Sequence, residues 1–298
     1  MNVICKNITK IYRIGQSDAI FALRDISFVF KSSTIYSIMG PSGSGKTTLL
    51  SIIGGIIKPS TGYVFYNDTN IAEIPLKKLD SFRLRNVGFI FQFFNLIPSL
   101  SVRENIELPM ILINLPREIR IKRTNELLKR LDILGKKDSL ISNLSGGEQQ
   151  RVAIAVALAN DPPIILADEP TGELDLVNTH LVSGLLSEIG REYGKTVIIA
   201  THDPLVASYA DIILILEKGS IVETLTNEQF LQYTYVRPNK AKVLSLIKRR
   251  ERIQKEIDKI NELYRDSKLS HEDFFVAKKT LEKELEMIKK ELRYLQLK

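Results

Sequence analysis

The sequence predicts an α/β fold for residues 1–225, followed by a linker at 226–239 and an α-helical hairpin at 240–298. Three observations carry this reading. Short Ile- and Val-rich runs such as Thr34–Met39, Ile164–Ala167 and Thr196–Ala200 alternate with longer helical patterns, as a parallel sheet covered by helices requires. The first of these runs leads through a glycine-rich turn into a helix-like segment. The charge also changes character along the chain. The 298 residues carry a net charge of +7, yet Arg237–Lys298 holds 18 Lys/Arg against 11 Asp/Glu. That leaves 24 basic and 24 acidic residues before it, so the whole excess lies in the tail.

With 44% hydrophobic and 26% charged residues the chain suits a soluble globular protein. No apolar run approaches the roughly 18 residues that span a bilayer. The start, with Asn2, Lys6, Asn7 and Lys10, has no signal-peptide core. Cys5 is the single cysteine, so no disulfide forms within the chain, and a reducing cytoplasm is the expected compartment.

The turn after Met39 reads Gly40-Pro41-Ser42-Gly43-Ser44-Gly45-Lys46-Thr47 and fits G-x-x-x-x-G-K-[ST]. Glycines let backbone N–H groups curl round the β- and γ-phosphates of a nucleotide, and the helix beginning at Thr48 adds partial positive charge. Lys46 is placed to bridge those phosphates, and Thr47 to put its hydroxyl on Mg²⁺.

The remaining elements follow in order. Val3–Thr9 and Ile20–Phe28 read as strands flanking a polar turn at Arg13–Asp18. Tyr12 opens that turn and is either an adenine platform or an ordinary strand-end tyrosine. Pro59–Gly62 is a turn, Tyr63–Tyr66 a strand, Pro75–Arg85 a helix and Val87–Phe91 a buried strand. Gln92 leaves that strand, and its amide can touch Mg²⁺ or water, or simply sit in a surface loop. Ser101-Val102-Arg103-Glu104 is a capping-box pattern opening a helix that Pro116 breaks, and a second helix spans Arg117–Leu134. This block interrupts the strand–helix rhythm and predicts an inserted helical subdomain.

Leu144-Ser145-Gly146-Gly147-Glu148-Gln149-Gln150-Arg151 precedes a helix at Val152–Ala159. Ser145, Gly146 and Gly147 form either an anion-binding helix start or a plain glycine-rich one. Ile164–Ala167 ends in Asp168 and Glu169, which a parallel strand directs into the ligand crevice. There Asp168 can hold Mg²⁺ and Glu169 can polarise a water. Val177–Glu192 is a helix, and Thr196–Ala200 a buried strand followed by His202, either a γ-phosphate contact or a cap for the helix at Asp203-Pro204. Asp211–Leu216 and Ile221–Thr224 form a hairpin round Lys218-Gly219.

Taken together, these residues resemble the ATP-binding subunit of an ABC transporter over about residues 2–225. Gly40–Thr47 matches the Walker A loop, Tyr12 the aromatic loop, Gln92 the Q-loop, Leu144–Arg151 the ABC signature, Asp168-Glu169 the end of Walker B, Gly172–Asp175 the D-loop and His202 the switch histidine. The runs Gly88–Pro98 and Glu104–Pro109 look like the lipoprotein-releasing, macrolide-export and cell-division group, although Glu173 stands where that group commonly has asparagine. The resemblance implies a P-loop NTPase (RecA-like) core with an antiparallel β subdomain and a helical subdomain. It implies ATP and Mg²⁺ as ligands, Lys46, Gln92, Glu169 and His202 as catalytic residues, and Thr47, Gln92 and Asp168 around the metal. It also implies a homodimer in which Ser145 and Gly147 hold the other subunit's γ-phosphate, and an integral membrane permease at the inner face of the cell membrane, docked near Phe93–Leu96. Transport or envelope mechanotransmission is the expected work; the alternative is a non-transport ABC ATPase acting on nucleic acid, a ribosome or an envelope regulator.

The tail lies outside that pattern. Val243, Leu246, Ile253, Ile257, Ile260 and Tyr264, then Phe274, Leu281, Leu285, Ile288, Leu292 and Leu295, recur at three-to-four spacing on either side of Asp266–Ser270. This predicts a coiled-coil hairpin. Its uses are contact with another protein, dimerisation, contact with anionic lipid or nucleic acid, or stabilisation alone. Interleaved Glu251, Glu256, Glu262, Glu282, Glu284 and Glu286 disfavour a nucleic-acid surface, as does the neutral ATPase region.

Overall fold

The structure, a computed structural model, describes residues 1–13 and 19–232, and, between 250 and 289, residues 250, 253–255, 257–258, 260–262, 264–265, 274–275, 278–279, 281–282, 285–286 and 288–289. The chain divides into two compact units, Met1–Asn227 and Glu228–Lys298.

The first unit is built on two sheets. β1 (Val3–Tyr12) and β2 (Ile20–Phe30) pair antiparallel, and β4 (Thr61–Tyr66) and β5 (Thr69–Asn70) extend them in the order β2-β1-β4-β5. The second sheet has six strands in the order β10-β9-β3-β8-β7-β6. Its members are β3 (Ile35–Met39), β6 (Val87–Ile90), β7 (Ile164–Asp168), β8 (Thr196–Thr201), β9 (Ile212–Glu217) and β10 (Ser220–Thr226). All its neighbours run parallel except the β9–β10 hairpin. Parallel pairing therefore puts the carboxyl ends of β3, β6, β7 and β8 on one edge.

Helices cover both faces: α1 (Lys46–Ile53), α2 (Leu76–Asn86), α3 (Val102–Leu112), α4 (Arg117–Arg130), α5 (Gly146–Leu158), α6 (Leu176–Glu192) and the short α7 (Pro204–Ala207). The two faces form separate cores. Ile165, Ala167, Val197 and Ile199 pack with residues of α3 to α6, whereas Ile164, Leu166, Ile198 and Ala200 pack with α1 and the antiparallel sheet. Strand alternation sends successive residues to opposite faces, and the helices on each face make the two cores.

Several boundaries differ from the sequence expectation. α4 ends at Arg130 rather than Leu134, with buried Leu131 as its C-cap. α3 stops at Leu112, well before Pro116, and it carries Pro109 inside. The largest difference is at α5, which begins at Gly146 rather than Val152 because Ser145 and Glu148 close a capping box that supports two helical glycines. A methyl at Gly147 would meet the end of the Asn178 side chain, which would have to shift. Asn227–Leu231 is helical where a linker is expected.

Within the second unit the described residues are helical. Ile253, Ile257, Leu285 and Ile288 form an apolar cluster with Leu281 against it, and the Tyr264 ring stacks on Phe274 with centroids 4.1 Å apart. The 233–239 part of the linker expected at 226–239, the Asp266–Ser270 turn, Val243, Leu246, Leu292 and Leu295 lie outside the described residues, as do residues 14–18 of the Arg13–Asp18 turn. Among the described residues no helix is long and apolar enough to cross a membrane.

Gly88 on β6 tests the packing. An added methyl would strike the Ala157 carbonyl oxygen of α5 and the Ile165 side chain. Gly88→Ala is expected to cost about 1–3 kcal/mol through overpacking and to lower Tm in thermal denaturation by several degrees. An unchanged Tm would contradict so close an approach of α5 to the sheet.

Candidate active site

The common edge of the parallel strands holds a cavity of about 510 Å³, within the range of small-molecule sites. It is lined by Ile20, Phe21, Ala22, the run Pro41 to Thr48, Gln92, Glu169 and His202. The loop between β3 and α1 is the floor. Gly43, at φ +77, has nothing within 4 Å of the position of an added Cβ, so its backbone is bare toward the cavity. Gly45, at φ +106, caps α1 so close to the Ala22 carbonyl that any side chain would collide with it.

Lys46, on the first turn of α1, is buried and ties the site together. Its Nζ donates to Gly40 O at 2.8 Å and Pro41 O at 3.3 Å, and lies 3.4 Å from Glu169 Oε1. The other carboxylate oxygen, Oε2, lies 3.0 Å from His202 Nδ1, and the His202 backbone N–H also reaches it at 3.4 Å. Glu169 is therefore held between an ammonium and an imidazole. Its backbone is held as well: the amide donates to Ala200 O at 2.8 Å while φ is 45°, a conformation uncommon for a residue with a side chain.

One residue earlier, Asp168 Oδ1 accepts from the Thr47 hydroxyl at 3.0 Å. Burial pushes the Asp168 carboxyl above its ordinary range. Neighbouring Glu169 adds to this, while the Thr47 hydrogen bond and Lys46 oppose it. Thr47 Oγ1, Asp168 Oδ1 and the Gln92 amide offer only hard oxygen donors at the metal-side position. Among the described residues no group of three or more His, Cys, Asp or Glu could cage an ion. Few protein ligands with room for phosphate oxygens and water is what Mg²⁺ uses, so the donor set fits it.

The structure brings Lys46, Thr47, Thr48, Gln92, Glu169 and His202, with Pro41 to Gly45, to one cavity; Asp168 is not in its lining but is tied to it through the Thr47 hydroxyl. Gly40 supports the loop from behind, packed against the Leu216 carbonyl. Tyr12 is not among the lining residues. It ends β1 opposite Ile20, with Lys10 Nζ 5.2 Å from its ring centroid. Phe21, which the motif reading omits, lines the mouth instead, with the Arg24 guanidinium 4.5 Å over its ring. Its signal was an exposed aromatic two residues into a strand, which sequence alone does not separate from a packing residue. Ser145, Gly146 and Gly147 stand at the start of α5, outside this cavity's lining, and Glu173 is exposed.

A phosphate-binding loop facing paired acids across a parallel sheet defines a P-loop nucleoside triphosphatase. The family model described as ABC transporter matches residues 23–172. The chain belongs to that family and is an ATP-binding, ATP-hydrolysing subunit that uses Mg²⁺. It is 44% identical over 220 residues to the uncharacterized ABC transporter ATP-binding protein MJ0796 of Methanocaldococcus jannaschii, covering 72% of this chain and 93% of that one. It is 38% identical to the lipoprotein-releasing system ATP-binding protein LolD of Idiomarina loihiensis, over 72% of this chain and 94% of that one. Among solved structures, the dimeric post-hydrolysis state of MJ0796 bound to ADP and Pi superimposes with a TM-score of 0.70 at 42% identity, covering 76% of this chain and 98% of that one.

Proposed function

We propose that two copies of this chain sandwich ATP and that their closure and reopening drive a separate membrane subunit from the cytoplasmic face of the membrane. The carrying observation is Glu169 held between Lys46 and His202 beside the phosphate loop, a base poised where a γ-phosphate would lie. Lys46 and the loop amides bind and orient the triphosphate. Gln92 and His202 position the attacking water and the γ-phosphate oxygens, and Glu169 takes the water's proton. Thr47, Asp168 and Gln92 would hold Mg²⁺, which would supply charge neutralisation on the phosphate oxygens. Catalysis is thus positioning and electrostatic stabilisation.

The dimer follows from where the signature stands. Ser145 and Gly147 lie outside the cavity of their own chain, so they are free to complete that of a second copy. The solved MJ0796 relative is described as dimeric. The membrane subunit is assigned to the surface at Phe93–Leu96, where Phe93 is 75% exposed and Phe94 and Asn95 adopt positive φ. Exposing a large aromatic in a strained loop suits an interface. Export or envelope mechanotransmission is the proposed work, in line with the likeness to LolD. Residues 240–298 are proposed as a coiled-coil arm contacting a further protein, with 226–239 joining it to the ATPase domain; nucleic acid is not its proposed ligand.

An affinity pull-down from detergent-solubilised cells tests this, using Glu169→Gln with ATP and comparing full length with residues 1–236. A multi-span membrane protein captured by both is the expected result. Capture only by full length would make the tail the docking arm. Ribosomes or DNA without a membrane protein would overturn the transport assignment and leave the ATPase site intact.

A further inference from the structure

α5 is entered through a capping box. Ser145 Oγ accepts from the Glu148 amide at 3.4 Å, and Glu148 Oε2 accepts from the Ser145 amide at 2.8 Å and its hydroxyl at 2.9 Å. α3 starts the same way, with Ser101 and Glu104. Helix capping explains the hydrogen bonds at both ends, but two features set α5 apart. Ser101 is buried whereas Ser145 is exposed. The second oxygen of Glu148 also lies 3.6 Å from Lys136 Nζ, supplied by the turn after α4.

Glu148 therefore places a carboxylate at the very end that the proposed dimer presents to a triphosphate. The first-turn amides of Gly146 and Gly147 have no acceptor within the helix, and the helix dipole favours an anion there. A resident carboxylate uses part of that field and repels a second anion. It also draws the Ser145 hydroxyl proton inward, away from an incoming phosphate oxygen. The Ser145 amide and hydroxyl, with Lys136 behind them, hold the Glu148 carboxyl below its ordinary range and so favour its charged form. The Lys136 ammonium cancels part of it.

We propose that Glu148 is a positioning residue that weakens the hold of α5 on the partner copy's triphosphate, and that Lys136 offsets it, so that this pair sets how readily the ATP-bound dimer closes and reopens. The inference rests on the ATP-sandwich dimer proposed above.

The test uses full-length protein in the Glu169→Gln background, with dimer formation followed by light scattering against Mg²⁺-ATP concentration. Glu148→Gln keeps an acceptor for the Ser145 amide, so the cap persists. It is expected to move the dimerisation midpoint to ATP concentrations about two- to fivefold lower, the scale of one charge at a helix end. Lys136→Ala is expected to shift it the opposite way, and to shift nothing once Glu148 is Gln. Lys136→Ala leaves the capping box untouched, so the prediction survives even if Glu148→Gln fails to fold. Unmoved midpoints, or shifts in the same direction accompanied by a fall in Tm, would show a purely structural cap and overturn the inference. Failure of Glu169→Gln alone to dimerise with ATP would instead remove the dimer reading, and this inference with it.

Discussion

Glu169→Gln is expected to bind ATP with near wild-type affinity and to lose hydrolysis by about 10²–10⁴-fold, the usual contribution of a positioned general base. The geometry explains both halves. Gln is isosteric, so it keeps an oxygen for the His202 amide, while the phosphate-binding loop and Lys46 remain intact. What it loses is the capacity to accept a proton. The rival expectation is that Glu169 merely neutralises Lys46, 3.4 Å away. In that case, turnover would fall only as far as binding does. Steady-state ATPase rates beside equilibrium nucleotide binding separate the two, and near-normal turnover would remove Glu169 as the base.

Lys46→Ala is expected to act on binding first. The ammonium has three protons, and the Gly40 and Pro41 carbonyls with Glu169 give it three acceptors. Phosphate oxygens entering the loop compete for those protons with greater charge. Removing the ammonium deletes charge-assisted hydrogen bonds worth about 2–3 kcal/mol, or roughly 30–150-fold in ATP affinity. It also leaves Glu169 without its cation, so hydrolysis is lost as well. A titration with fluorescent ATP analogue reads the affinity. Wild-type binding by Lys46→Ala would mean that the loop amides hold the triphosphate alone.

The two residues differ in how legible they were. Lys46 belongs to a contiguous pattern, because a loop that wraps phosphate must be built from neighbours in sequence, and its glycines and lysine are therefore visible together. The acids at the end of β7 were legible for a related reason, since an apolar run ending in two carboxylates is rare unless they face a ligand. Gln92 and His202 were different. Each is one polar residue after a strand; alone, Gln92 reads better as a surface-loop residue, and His202 can equally be a helix cap. Only family order along the chain raised them above that, and the parallel register of β6, β7 and β8 is what carries them to Glu169. Phe21 was missed because its exposure at the cavity mouth depends on where β2 passes the phosphate loop. Ser145, Gly146 and Gly147 were legible as a helix start, but the regular run of α5 was expected only from Val152, because Gly146 and Gly147 are poor helix formers and a capping box outweighs that local preference.

Sequence alone determined that this chain has a phosphate-binding loop, two acids at a strand end, a helical insertion and a basic tail with apolar residues at three-to-four spacing, because each is a local pattern whose chemistry is written in adjacent residues. Only the tertiary structure decided which residue faces which. Ile164 and Leu166 go to one core and Ile165 and Ala167 to the other. All four are apolar, so nothing in their identity marks a side; the sheet's pleat and the helices on each face choose. The same holds for Glu169, whose positive φ and two opposed partners arise from Ala200, Lys46 and His202, residues far from it in sequence and joined to it by strand order.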